Sequence, residues 1–215
     1  MNTSPAGRDR DRSNKKLAEL ARIFYLLGTD CKKNIDIIVA QTCEVFGAAC
    51  SLYNRIDDKN KSLVVWSSHN PPPDLDDSFD PEGHICWEAT IKGSYQPVIL
   101  PDIKETEYYT SDPYVQKYNL NAYLGHPVKC RNQVIGSLCM VDTRSRKFSR
   151  DDVNCIKTLA AALSLEEERL ALEQETREEK ERYQTLIENA NDAIYIIQDG
   201  LVKFANPKTA TISGY

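Results

Sequence analysis

The stretch "AYLGHPVKCRNQVIGSLCMVD", residues 122–142, constrains this chain more than any other. It reads as two strands about a two-residue turn at Arg131-Asn132. Val128 and Ile135 make one face apolar, and Tyr123, Val134, Leu138 and Met140 make the other apolar. A hairpin that is apolar on both faces has to be covered on both, so it belongs at the centre of a sheet with a layer on each side. In this register Cys130 faces Gln133, His126 faces Ser137 and Leu124 faces Cys139. Gly125 and Gly136 fall on the Tyr123 face and admit close approach by a helix or a ligand.

The same stretch holds one of three histidines and two of seven cysteines, which raises the question of a metal. Strand geometry answers it. His126 and Cys130 are four residues apart on one strand, roughly 13 Å. Cys130 and Cys139 are offset by six, about 20 Å. Zinc bonds of ~2.0–2.3 Å cannot gather the three. His126 and Cys139 share a face as diagonal neighbours, ~7–8 Å apart, and are at most half a site. No metal site is expected.

A chain of 215 residues can bury a core and holds one or two domains. The net charge of −5 argues against binding a nucleic-acid backbone. No apolar run approaches the ~20 residues of a membrane span. Residues 1–14 are polar, lack an apolar signal core and read as a disordered leader. None of the seven cysteines forms CxxC, so reduced thiols and a cytoplasmic location are expected.

From Lys15, Leu17, Leu20, Ala21, Phe24 and Leu27 follow a helical period that Gly28 stops. Ile35, Ile38, Val39, Thr42, Cys43 and Phe46 define a second helix, closed by Gly47. "ACSLYNRI" and "SLVVWSS" form a hairpin about "DDKNK". The loop "HNPPPDLDDSFDPEG" cannot be helical through three prolines and can cover a pocket. A short helix near Ile85–Ile91, the strand "QPVILP" and a Tyr-rich acidic segment with Tyr108, Tyr109, Tyr114 and Tyr118 precede the central hairpin.

After the hairpin, Ser149 and Asp152 form a capping box. The helix it opens is apolar through Ile156, Leu159, Leu163 and Leu170, then almost wholly charged over residues 171–182. The sevenfold row Ile156, Leu163, Leu170 supports a coiled coil for two heptads only. A solvated helical linker and a parallel dimer stalk both fit. "AIYIIQDGLVKFAN" closes the chain as a hairpin about Asp199-Gly200.

The order of elements, with "AYLGHPVKCRNQVIGSLCMVDTRSRKFSRDD" and "GHICWEATIKGSYQPVILPDI", resembles a GAF domain over residues 15–170. "RYQTLIENANDAIYI", "GLVKFANP" and the final "GY" resemble the opening of a PAS domain over residues 183–215. The resemblance implies an α+β fold. A central antiparallel sheet carries the N- and C-terminal helices on one face and a pocket with short helices on the other. It also implies an input region of a bacterial signalling protein, a sensor histidine kinase ahead of a diguanylate cyclase.

The pocket candidates under that resemblance are His84, Cys86, Tyr108, Tyr109, Tyr114, Tyr123, His126 and Cys139, with Ile156, Leu159, Leu163 and Leu170 as the signalling helix. His84 and Cys86 could ligate haem or sense oxidation. Bilin-binding members attach pigment to a Cys often followed by His, and no Cys here precedes a His. Lys147, Phe148, Asp151 and Asp152 echo a cyclic-nucleotide constellation that lacks its Asn and Glu here. No GxxxxGK[ST], GxSxG or phosphoacceptor His-Glu or His-Asp pair occurs, so no catalytic domain is expected within the chain. Three functions follow: a module that binds a small molecule or senses redox state, a dimerisation and relay platform with no ligand, and a haem-based gas or redox sensor. A homodimer through the C-terminal helix is expected in each.

Overall fold

The structure is a computed structural model that describes residues 5–57, 59, 61–93 and 95–214; for residues 5–15 and 89 it describes the backbone alone. The chain divides into two compact units, residues 1–168 and 169–215.

The first unit opens with α1 (Pro5–Leu26) and α2 (Cys31–Phe46). The expected disordered leader, residues 1–14, is helical from Pro5 onward, and residues 1–4 lie outside the described residues. Extending an existing helix adds one hydrogen bond per residue fixed, and proline suits a first turn, so the charged segment continues the helix begun by the apolar one. Asp30 caps α2 by accepting from Lys33 N–H, and Gly47 ends it at φ 52°. Asn34 brackets the corner between the helices, accepting from Gly28 N–H at 2.8 Å and donating to Gly28 O at 2.9 Å.

Six strands follow: β1 (Cys50–Asp57), β2 (Ser62–His69), β3 (Ser78–Phe79), β4 (Val98–Leu100), β5 (Ala122–Cys130) and β6 (Gln133–Asp142). They form one antiparallel sheet in the order β3-β2-β1-β6-β5-β4. The apolar-on-both-faces hairpin is β5–β6, and it occupies the interior of the sheet as its pattern demands. Between β3 and β4 a single wide turn spans Cys86–Ile91, closed by Lys92 N–H to Trp87 O. Between β4 and β5 lie a 3₁₀ turn (Ile103–Glu105), α3 (Tyr108–Ser111) and α4 (Pro113–Lys117).

The hairpin register departs from expectation at one place. Arg131 and Asn132 form the two-residue turn, at φ 51° and 64°, and Cys130 pairs with Gln133. The ladder then slips between Val128 and Lys129, leaving Ile135 unpaired. Pro127 has no N–H to give a central ladder, and a bulge beside it is how a sheet tolerates that. Beyond the bulge His126 pairs with Leu138, Gly125 with Cys139 and Tyr123 with Val141. One residue of slip exchanges the faces. Tyr123, Gly125, Cys139 and Val141 therefore share one face, and His126, Leu138 and Met140 share the other. Gly136 lies opposite to Gly125 rather than beside it.

The helices cover the His126 face. Ser51 donates to Val39 O of α2 at 2.6 Å, and Ser67 donates to Asp36 of α2 at 2.6 Å. The long helix α5 (Arg150–Glu188) covers the same face: Lys129 N–H donates to Ser164 Oγ at 3.0 Å, and Tyr53 reaches Glu167. The expected capping box opens α5, with Ser149 N–H on Asp152 Oδ2 at 2.7 Å and Asp152 N–H on Ser149 Oγ at 3.2 Å. Lys16 of α1 pairs with the same carboxylate.

The second unit contains β7 (Tyr195–Gln198), β8 (Leu201–Ala205) and α6 (Pro207–Ser213). Asp199 and Gly200 make the turn at φ 53° and 74°. Asn206 is its hub: Oδ1 accepts from Ile194 N–H at 2.9 Å and Thr209 N–H at 3.1 Å, and Nδ2 donates to Ile187 O and Asp192 O at 3.0 Å each.

Gly136 tests the packing of the sheet. A Cβ there would stand 2.2 Å from Asn54 O and 3.0 Å from the Tyr53 ring. Gly136→Ala should lower stability by about 1–3 kcal/mol, read as a shifted urea midpoint with unchanged slope.

Candidate functional site

The face away from α2 and α5 carries its own apolar cluster. Cys50, Tyr123, Cys139 and Val141 of the sheet meet Ile85, Ile103 and Val115 of the connecting segments. Tyr123 lies flat on this face because Gly125 leaves room: a Cβ at Gly125 would stand 2.4 Å from the Tyr123 hydroxyl. That hydroxyl hydrogen-bonds Thr90 Oγ1 at 2.8 Å, tying the sheet to the wide turn.

Above this floor is a cavity of two lobes. The inner lobe, about 50 Å³, is bounded by Asn54, His84, Cys86, Asp112, Tyr123 and Cys139. The outer lobe, about 160 Å³, is bounded by Cys50, Asn70, Pro72, Tyr118 and Thr143. Leu52, Leu75, Tyr114, Leu120 and Val141 wall both. The proline-rich loop lies over them as expected, clasped by α4. Tyr114 donates to Asp76 at 2.8 Å, Tyr118 to Asp74 O at 2.9 Å, and Lys117 pairs with the Asp74 carboxylate at 3.1 Å.

Asp112 organises the inner wall. It caps α4 by accepting from Tyr114 N–H at 2.9 Å, accepts from Ile85 N–H at 2.9 Å, and lies 3.2 Å from His84 Nδ1. The His84 ring packs between Phe79 and Tyr114, with centroids 4.5 Å and 4.7 Å away. One polar atom at this cavity is unmet: Asn54 Oδ1 is buried without a hydrogen-bond partner. Ser137, its register partner on β6, has an equally buried and unmet Oγ.

Five of the eight expected pocket residues line this cavity: His84, Cys86, Tyr114, Tyr123 and Cys139. Tyr108 packs against the apolar cluster beneath it, and Tyr109 is at the surface. His126 is a correction. The bulge in β6 carries Cys139 to the cavity side and leaves His126 with Val128 on the helix side, where burial, then Lys157 of α5, hold its pKa down. Asn54 is the residue that sequence reasoning missed; a lone Asn inside the apolar strand "SLYNRI" was its signal.

Burial disfavours the thiolate form at Cys86 and Cys139. Burial pushes Cys86 well above the ordinary thiol range and Cys139 up to about 12. A thiol held protonated is a poor nucleophile and ligand. Among the described residues no three His, Cys, Asp or Glu side chains converge. The lobes also fall short of the ~300–1,000 Å³ typical of cofactor sites, so a haem macrocycle does not fit between these walls.

On the helix side, Glu167 of α5 is 3% exposed at its side chain. It accepts from the Tyr53 hydroxyl at 2.8 Å and lies 3.6 Å from Arg55 Nη2. Burial raises its pKa, against the opposing pull of Arg55 and Tyr53. Ile156, Leu159 and Leu163 are fully buried within the first unit, and Leu170 is half-buried. The row Ile156, Leu163, Leu170 therefore belongs in its first two positions to the domain's own core, because α5 turns its apolar side to the sheet. No helix of the described residues is long and apolar enough to cross a membrane.

A six-stranded antiparallel sheet with terminal helices on one face and a cavity under short helices on the other defines an α+β domain architecture. The GAF domain family matches residues 31–166, and the chain belongs to that family. The PAS domain family matches residues 181–215, so a PAS-like start follows. Among solved structures, the chain resembles the GAF domain of a phosphoenolpyruvate-protein phosphotransferase from Coxiella burnetii (17% identity, TM-score 0.62, covering 75% of this chain and 98% of that one). It also resembles the phycocyanobilin-bound GAF domain of a cyanobacterial phytochrome (14% identity, TM-score 0.60, 74% and 96%). A third likeness is to a domain of a putative two-component sensor histidine kinase protein from Sinorhizobium meliloti 1021 (12% identity, TM-score 0.56, 70% and 99%). At these identities the likeness is one of fold. No curated protein sequence matches the chain.

The raised thiol pKa values have a direct readout. At pH 8 Cys86 and Cys139 should resist alkylation by iodoacetamide in the folded chain, with half-buried Cys130 modified first. Tryptic mass spectrometry of the quenched reaction reports the order, and labelling of Cys86 at the rate of Cys130 contradicts it.

Proposed function

We propose that the chain is a sensory input module of a cytoplasmic signal-transduction protein, with a histidine kinase as the leading parent and a diguanylate cyclase behind it. Residues 15–170 are the sensory domain, 171–182 the linker and 183–215 a PAS-like start. A small molecule in the two-lobed cavity biases the packing of the sheet against α5, and α5 carries that bias onward. The ligand need only favour one packing over the other.

The observation that carries this reading is three consecutive residues of β1. Asn54 borders the cavity, while Tyr53 and Arg55 leave the strand on the other side and hold Glu167 of α5. The ladder to β2 slips opposite these residues, where Trp66 of β2 is left unpaired, while β1 keeps an unbroken register with β6. A group that pulls on Asn54 moves both partners of Glu167.

A second reading, a relay and dimerisation platform without a ligand, is favoured by the small inner lobe and by an apolar residue on the outside of α5. Leu165 is 62% exposed, and Leu172, seven residues on, is 57% exposed. These, with Tyr183 and Leu186, and not the buried Ile156 and Leu163, are the large apolar residues of α5 open to a second copy.

Native mass spectrometry and amide hydrogen exchange of the whole chain test the sensory reading. A retained molecule is expected, and its removal should speed exchange around Ser164–Leu170. Tyr53→Phe should remove that effect on α5 and keep protection at the cavity. If no molecule is retained and no member of a metabolite panel raises Tm, the platform reading replaces it. For the dimer, Leu165→Glu should shift the chain to monomer in light scattering; an unchanged dimer places the interface elsewhere.

A further inference from the structure

We infer that the cavity selects an uncharged, single-ring molecule that donates a hydrogen bond to Asn54. This rests on the sensory reading above and specifies its ligand. The first observation is the unmet acceptor. Asn54 is 1% exposed, borders the inner lobe, and its Oδ1 has no partner. A buried carbonyl left unpaired costs about 1–3 kcal/mol, so its persistence in a strand interior calls for a donor that arrives from outside the chain.

Charge at the walls sets the second requirement. No Lys or Arg lines either lobe, so nothing compensates a phosphate or carboxylate removed from water. Asp112 is the sole carboxylate among the lining residues. It already accepts two backbone N–H groups and meets His84, which leaves little for a ligand cation. A neutral ligand is what remains.

Volume and wall chemistry set the third. The outer lobe, about 160 Å³, is close to the roughly 150 Å³ that accommodates one benzene ring. Its walls are Leu52, Pro72, Leu75, Leu120 and Val141 with the faces of Tyr114 and Tyr118. The inner lobe, about 50 Å³, has room for one substituent pointing at Asn54. A ring in the outer lobe with an amide N–H or hydroxyl in the inner lobe meets all three conditions.

A matched series of probes tests this on the whole chain. Benzamide and phenol carry the ring and the donor; toluene lacks the donor, benzoate adds an anion and benzylammonium a cation. In ¹⁵N-resolved NMR titrations, benzamide or phenol should bind with shifts at residues 52–55 and 137–141. Each of the other three should bind on the order of tenfold or more weakly. Asn54→Leu should erase the advantage over toluene and raise the Tm of the ligand-free protein, since it removes the unmet acceptor. Toluene equal to benzamide, benzoate or benzylammonium preferred, or a lowered Tm in Asn54→Leu from loss of a structural water, would overturn the donor assignment and leave the sensory reading standing. Failure of every ring probe, together with no retained molecule, would remove the sensory reading itself. The probe series needs no variant, so a misfolded Asn54→Leu does not block the decision.

Discussion

Successive side chains of a strand leave on opposite sides, and in β1 that rule joins a cavity to a helix. Asn54 goes one way; Tyr53 and Arg55 go the other and share one buried carboxylate. A buried acid tolerates its surroundings only while its partners hold their places, because low dielectric magnifies the loss of any one. Arg55 is itself fixed, with its guanidinium 4.3 Å from the Trp66 ring centroid. At Glu167, α5 is thereby held to β1 by two side chains that flank a residue of the cavity wall.

The cavity side is assembled differently. Its roof is made of short pieces, none long enough to be stable alone, and each is held by a specific polar contact. Asp112 begins α4 and restrains the chain at Ile85; Tyr123 reaches up to Thr90; Tyr114, Lys117 and Tyr118 fasten the proline-rich loop. The three thiols in the walls act as small apolar groups, which is what their burial and raised pKa values describe.

Much of this was legible in the residues. The central hairpin announced itself through apolar side chains on both faces, the end of α2 through Gly47, and the start of α5 through Ser149 and Asp152. The bulge was not legible. Pro127 signalled an irregularity, but which residue would be left over depends on the packing of Gly136 against Asn54 and Tyr53, strands that meet only in three dimensions. That single slip decided that Cys139 faces away from His126. A heptad row of apolar residues describes a stripe without saying whether its partner is another chain or the sheet of the same chain. The role of Asn54 was hidden because one polar residue in a strand is ordinary until its surroundings are known.

The fastening of α5 at its start has a mechanical meaning. Arg146 donates to Asp142 at the end of β6 and to Phe46 O and Gly47 O at the end of α2. Three residues later the capping box begins, and Lys16 grips its carboxylate. The next polar bonds from the sheet to α5 fall at Ser164 and Glu167. Between Asp152 and Glu167 the helix rises about 22 Å at ~1.5 Å per residue. The helix is thus held to the sheet at two places along its length, and over that span a shift of about 1 Å at Glu167 corresponds to a tilt of about 2.5° about Asp152.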